Sequence, residues 1–201
     1  MVRSFESPLP FVIVQHLDEA RNPIATARMA HMCLTNSTLI MDKDFGDNHV
    51  VDRLLADKTA NHVILYPSPD AAPIETYFDH EEGKPPVFWI LDTTWSHVPK
   101  MLRLSPPLKT IPMAKFTPDV VSTFQIRKQP NPMCLSTVES MYLVIDRYMK
   151  FHGMRTPNHE ALINVFRYMV DQQIRFGREK NNARHHAMRV ARTAKAALKN
   201  L

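Results

Sequence analysis

The residues able to do chemistry in this sequence sit directly after apolar runs. Residues 87–91 are apolar throughout, and Asp92-Thr93-Thr94-Trp95 follows at once: a carboxylate, two hydroxyls and an indole in four positions. In open parallel sheets, ligands bind in the crevice outside the carboxyl ends of the strands. A polar cluster after a buried strand is therefore placed for binding or catalysis. A plainer role also suits each member: Asp92 as the cap of a following helix, Trp95 as a core aromatic. Segments 16–28 and 67–71 follow two other apolar runs and would converge on the same crevice. Ser136-Thr137-Val138-Glu139 is a capping box, structural by default, whose first N–H groups could also receive a carboxylate. Cys134 has no base near it in sequence, which a reactive thiolate needs. His185-His186 lacks matching metal ligands around it. Arg127-Lys128 suits either a phosphate contact or simple solvation.

Charge divides the chain. Residues 175–201 hold eight Lys and Arg and one Glu, a net +7, while residues 1–174 carry −2. A basic arm on a near-neutral body is the electrostatic footprint of a polyanion-binding protein, with nucleic acid the first candidate. The composition excludes several other classes. The four glycines form neither GxGxxG nor GxxxxGK, so a glycine-fingerprint dinucleotide site and a P-loop are absent. Two cysteines without a CxxC pair read as reduced thiols, without a structural zinc. The longest clean apolar runs are about five residues, far from the roughly 18 of a membrane helix. No secretory h-region is visible near residue 1. A cytoplasmic protein with no membrane partner is the expectation.

The elements that must hold these groups follow from periodicity. Strands are expected at 11–15, 38–41, 62–66, 87–91 and 110–116, with a short extended piece at 123–127. Helices are expected from Asn22-Pro23, through Val50, Val51, Leu54 and Leu55, after Trp95 to about Leu102, and from Ser136. A last helix should open at Thr156-Pro157, with Gly177 interrupting it before the basic tail. Alternating strands and helices with buried strands predict an α/β fold whose mostly parallel sheet is flanked by helices.

Several blocks together resemble the DTW-domain family. Leu91-Asp92-Thr93-Thr94-Trp95 with Lys100-Met101 is similar to its signature, Asp-x-Thr-Trp followed by Lys-Met. His16-x-x-Glu19, Asn22-Pro23 and Thr26-x-Arg28 precede it in the family's order, as does Tyr66-Pro67-Ser68-Pro69-Asp70-Ala71. Arg103-x-Ser105-Pro106, Ile111-Pro112, Phe124-x-Ile126-Arg127-Lys128 and Cys134-Leu135-Ser136-Thr137-x-Glu139 come after it. The blocks span residues 16–139, 124 of 201 positions. The chain lacks the N-terminal cysteine cluster frequent in the family, and it departs from the pattern at Ala25, Ala27 and Pro99.

The resemblance implies a tRNA-uridine aminocarboxypropyltransferase. Such an enzyme moves the 3-amino-3-carboxypropyl group of S-adenosylmethionine to N3 of a uridine and releases methylthioadenosine. It also implies a SPOUT-like fold with a C-terminal trefoil knot, tRNA as partner, no metal, and a monomer or homodimer. The DTW domain would occupy residues 1–176 and a basic helical extension 177–201. Asp92, as base or as acceptor of the N3–H bond, and Trp95 would be catalytic. Thr26, Pro67, Ser68, Leu91, Thr94, Ile111, Met113, Leu135, Ser136 and Thr137 would hold S-adenosylmethionine. Arg21, Arg28, Lys100, Arg103, Arg127 and Lys128, with Arg178, Lys180 and Arg184 of the arm, would hold tRNA. The alternatives are a SPOUT-like RNA methyltransferase and a non-enzymatic RNA-binding module.

Overall fold

The structure is a computed structural model that describes residues 4–80, 84–127, 130, 131, 133–155 and 158–198. Six strands form one sheet in the order β2-β1-β5-β3-β6-β4, every neighbouring pair parallel. They are β1 (Phe11–His16), β2 (Ser37–Asp42), β3 (His62–Leu65), β4 (Ala72–Pro73), β5 (Val87–Asp92) and β6 (Met113–Lys115). All six residues of β1 are buried, as expected of a central strand covered on both sides.

The two-residue alternation of the strands sorts their side chains into two cores. Phe11, Ile13, Val63, Phe88 and Ile90 face α2 (Thr26–Cys33), α6 (Thr137–Phe151) and α7 (Glu160–Leu198). Val12, Val14, Ile64 and Trp89 face α3 (His49–Ala56), α4 (Val98–Leu104) and α5 (Pro106–Lys109). A one-turn helix, α1 (Leu17–Ala20), follows β1 and is capped by the His16 side chain. Among the described residues, no helix is long and apolar enough to cross a membrane.

Local chemistry explains where the elements differ from expectation. Asn22-Pro23 does not open a helix. The Asn22 side chain accepts the Ile24 N–H (3.1 Å) and its carbonyl the Ala25 N–H (3.1 Å), closing a turn instead. Helix α2 therefore begins at Thr26. Residues 123–127 form no strand, because the Thr123 N–H is taken by the Glu139 carboxylate rather than by a ladder. The 110–116 strand shrinks to β6, since Thr110 still terminates α5 and Pro112 has no N–H to donate. Strand β4, unforeseen from the sequence, carries a proline on the sheet's edge, where the missing donor costs nothing. Residues 156 and 157 lie outside the described set, and α7 is helical from Glu160 straight through Gly177.

The turn between the last two helices sets the course of α7. Gly153 has φ +62°, a left-handed conformation that glycine adopts without penalty. Its N–H bonds to the Lys150 carbonyl (3.2 Å) and the Met154 N–H to that of Met149 (2.8 Å), the pair of bonds of a Schellman cap. His159 then stacks on Tyr142 of α6 with ring centroids 5.4 Å apart. Further on, Phe166 meets Phe124, which is tied to the start of α6 through Thr123 and Glu139 (centroids 5.3 Å). Helix α7 thus runs antiparallel to α6, back toward the carboxyl edge of the sheet.

One buried contact makes stability depend on pH. The Trp89 indole N–H donates to His62 Nδ1 (3.0 Å), and His62 Nε2 lies 3.0 Å from the Leu54 carbonyl. A neutral ring satisfies both contacts; a proton on Nδ1 would face the indole N–H. Burial pushes the His62 pKa below its ordinary value of 6.5, with the Leu54 bond and Asp57 opposing. The unfolded chain therefore takes up a proton first as pH falls below about 6.5, and the fold loses stability there. Denaturant unfolding of wild type and His62→Gln at about pH 7.5 and about pH 5 checks this. The variant should lose about 1 kcal/mol at the higher pH and show a weaker decline toward the lower one.

Candidate functional site

The site begins at the last residue of β5. Asp92 pairs in register with Gln15 of β1, and both continue the face that carries Ile13 and Ile90. Asp92 is 8% exposed. Its Oδ2 accepts a bond from Gln15 Nε2 (2.7 Å) and its Oδ1 one from the Thr137 hydroxyl (2.5 Å). Thr137 is the first residue of α6, so the carboxylate joins two adjacent strand ends to the positive end of a 15-residue helix. Burial raises the Asp92 pKa above the ordinary range. The bonds from Thr137 and Gln15 pull it back, Glu19 adds to the rise and Arg127 opposes it.

Two further carboxylates lock the walls. Glu19, buried in α1, receives both guanidinium branches of Arg127, at 2.9 Å and 2.5 Å. This bidentate pair joins segments 108 residues apart in the chain and combines charge with a fixed planar geometry. Glu139 completes the capping box with Ser136 and does more than cap. Its Oε1 accepts the N–H and the hydroxyl of Thr123 (2.7 and 2.9 Å), and its Oε2 accepts the Ser122 hydroxyl (2.9 Å). The loop that carries Phe124 is thereby held against the start of α6. At the far side of the corner, the His16 and His97 rings pack with centroids 4.7 Å apart.

These contacts enclose a cleft of about 340 Å³, within the range of small-molecule sites. Asp92, Thr93, Thr94, Trp95 and Ser96 form one wall; Leu135, Ser136, Thr137 and Ser140 form another. Leu65, Ile90, Leu91, Val98 and Phe124 give it apolar surface, and Thr26 and Arg127 close the remaining sides. Of the residues singled out in the sequence, Asp92, Trp95, Thr26, Leu91, Thr94, Leu135, Ser136, Thr137 and Arg127 come together here. Pro67, Ser68, Ile111 and Met113 are not among the lining residues. Ile111 is buried in the core of the second face, and Met113 packs against it. Asp92 does not cap α4, whose N-cap is His97.

The cationic candidates are spread more widely. Arg21, Arg28, Lys100, Arg103, Arg178 and Lys180 are exposed. Arg28 donates to the Asn22 carbonyl (2.9 Å). Lys128 and the side chain of Arg184 lie outside the described residues. Sequence reasoning passed over Gln15, Tyr66 and Ser140. Gln15 had a readable signal, a lone amide closing the apolar run of β1. Cys134 is free and half-buried. Among the described residues, no group of three His, Cys, Asp or Glu could hold a metal ion.

The Asp92 environment yields an opposite-sign pair of outcomes. A group whose pKa is raised by folding stabilises the fold when protonated and weakens it as pH rises through that pKa. Asp92→Asn removes the buried charge while keeping the shape and an acceptor for Thr137. Its melting temperature at neutral pH should rise, by about 2–4 °C for about 1 kcal/mol. Asp92→Ala, which leaves Gln15 and Thr137 without a partner, should lower it. Calorimetry of the three proteins checks both signs.

Comparison with known proteins gives the site a context. A family model described as DTW domain matches residues 1–174. A Drosophila melanogaster protein named tRNA-uridine aminocarboxypropyltransferase 2 is 32% identical over 133 residues, which is 64% of this chain and 52% of that protein. A Mus musculus protein of the same name is 21% identical over 190 residues, 94% of this chain and 62% of the relative. The chain thus spans between about half and about three-fifths of the curated relatives it matches. No solved structure matches it. With the Asp92–Trp95 corner walling the cleft and the family model covering all but the last residues, the chain belongs to the DTW-domain family.

Proposed function

We propose that this protein transfers the 3-amino-3-carboxypropyl group of S-adenosylmethionine to N3 of a uridine in tRNA, with methylthioadenosine as the leaving product. The observation that carries the proposal is the buried, doubly bonded Asp92 on the wall of a small-molecule cleft, at the end of a central strand. The names of the relatives in fly and mouse support it.

The residues present fit the donor. Apolar side chains from Leu65, Leu91 and Leu135 suit an adenine ring, and the Thr26 and Thr94 hydroxyls suit ribose. The Leu135–Thr137 backbone at the α6 N-terminus suits the carboxylate of the amino-acid portion. When bound, S-adenosylmethionine supplies an electrophilic carbon beside a sulfonium. Trp95 and the turn at 92–96 restrict which carbon faces the incoming base, and such positioning lowers the barrier by several kcal/mol. Asp92 accepts the N3–H of the uridine and takes its proton as the new N–C bond forms. Its raised pKa brings it closer to the range in which a carboxylate works as a base. Gln15 and Thr137 fix its orientation. Arg21, Arg28, Lys100 and Arg103 would meet phosphates; Arg127, already paired with Glu19, would meet RNA only from the cleft wall. The SPOUT-like knotted ancestry rests on the family resemblance, and the cytoplasmic place of work on the cysteine usage and apolar-run lengths of the sequence.

Incubation with bulk tRNA and S-adenosylmethionine, followed by nucleoside mass spectrometry, tests the proposal. The expected product is a uridine heavier by one aminocarboxypropyl group, with methylthioadenosine in equal amount. A methyl increment with adenosylhomocysteine would replace it by methyl transfer, and absence of donor binding would leave an RNA-binding module. Asp92→Asn should fold yet lose about 100-fold or more in rate. Transfer within about threefold of wild type would take Asp92 out of the chemistry.

A further inference from the structure

The antiparallel return of α7 brings its early turns beside the cleft. Phe166 packs on Phe124, a cleft-lining residue. Val170 is buried, and Ile174 still packs against the same core. From Arg175 to Lys180 every residue is exposed, and the helix continues to Leu198. At 1.5 Å per residue, the helix runs on for about 36 Å beyond residue 174.

The sequence of this segment is patterned for one kind of contact. At about 100° per residue, positions 175, 178, 184, 189, 192 and 195 fall within one half of the helix circumference, and all six are Arg or Lys. Positions 183, 187, 190 and 194 fall in the other half, and all are Ala or Val. After Phe176 the chain holds no Phe, Tyr or Trp. Single-strand readers stack bases on aromatic rings, and beyond Phe176 this segment offers none. Cations gathered on one half of a helix, with Lys180 alone on the other half and no aromatic ring among them, match phosphates, which fix position without reading sequence.

We propose that residues 175–198 form a rail for the sugar-phosphate backbone of structured RNA, so that docking extends along about 36 Å of helix beyond its last core contact at Ile174. The proposal rests on the reading of the substrate as RNA and adds what part of it is recognised: a folded, helical body rather than the bases around the target.

Binding of full-length chain, measured by fluorescence anisotropy without S-adenosylmethionine, tests it. The probes are an unmodified tRNA transcript, an unrelated RNA hairpin with a stem of about 20 base pairs, and a single strand of about 10 nucleotides. The variant is Arg178→Gln/Arg184→Gln/Arg189→Gln; Ala183→Gln/Ala187→Gln, on the opposite half, controls for disturbance of the helix. The triple variant should bind tRNA and hairpin at least about tenfold more weakly near 0.1 M salt, with a log–log salt slope smaller by about 2–3. The single strand should change by less than about threefold, and the control should match wild type on every probe. An unchanged slope overturns the proposal, as does a loss confined to tRNA and absent with the hairpin. Because no group is transferred in this measurement, the two readings fail separately. A protein that loses RNA through the rail yet makes no aminocarboxypropyl nucleoside keeps the rail and loses the activity.

Discussion

A carboxylate taken out of water is tolerated only if its surroundings replace the lost hydration, and the site of this protein is organised around that demand. Asp92 sits at the end of a central strand with an exposure of 8%. Gln15, from the neighbouring strand, fills one oxygen, and Thr137, from the first turn of α6, fills the other. The backbone ladder fixes β1 beside β5, and the Thr137 bond ties the start of α6 to that pair. The cleft is the space left beside that junction. The result is a charge that is costly to hold and whose pKa is displaced upward, the condition in which a carboxyl group becomes useful near neutral pH.

The other carboxylates solve the same problem differently. Glu19 takes a whole guanidinium from Arg127 and so converts a buried charge into a covalent-like strut across 108 residues of chain. Glu139 is held instead by hydroxyls and N–H groups from Ser122, Thr123 and Ser136. One ion pair and one hydroxyl cage thus anchor the two loops that wall the cleft. Each reaches from a helix, Glu19 from α1 and Glu139 from α6, to a segment outside regular secondary structure, which lets the loops hold shape where the sheet has ended.

The same economy of form governs the last helix. A single left-handed glycine after α6 reverses the chain, and aromatic contacts from His159 and Phe166 align the return. Among the residues whose side chains are described, the packing that binds α7 to the core ends near Ile174, and Arg175 to Lys180 are exposed.

The strands at 11–15, 62–66 and 87–91 were legible because continuous apolar β-branched runs have few other fates, and the capping box marked the start of α6 because its two reciprocal bonds are local. The Asp92–Trp95 corner was legible for the same reason: a polar cluster directly after a buried strand. Local signals misled where a side chain had two possible partners. Asn22 spent its oxygen on its own turn, and Thr123 gave its N–H to a glutamate sixteen residues away. The sequence by itself determined the α/β alternation, the strand that ends in Asp92 and the basic arm, since each depends on neighbours within a few residues. Only the tertiary structure decided the strand order, the pairing of Glu19 with Arg127, the meeting of Gln15 and Thr137 on one carboxylate and the packing of Phe166 on Phe124. Those are contacts between segments tens of residues apart, and no local pattern encodes which distant partner will satisfy a buried charge.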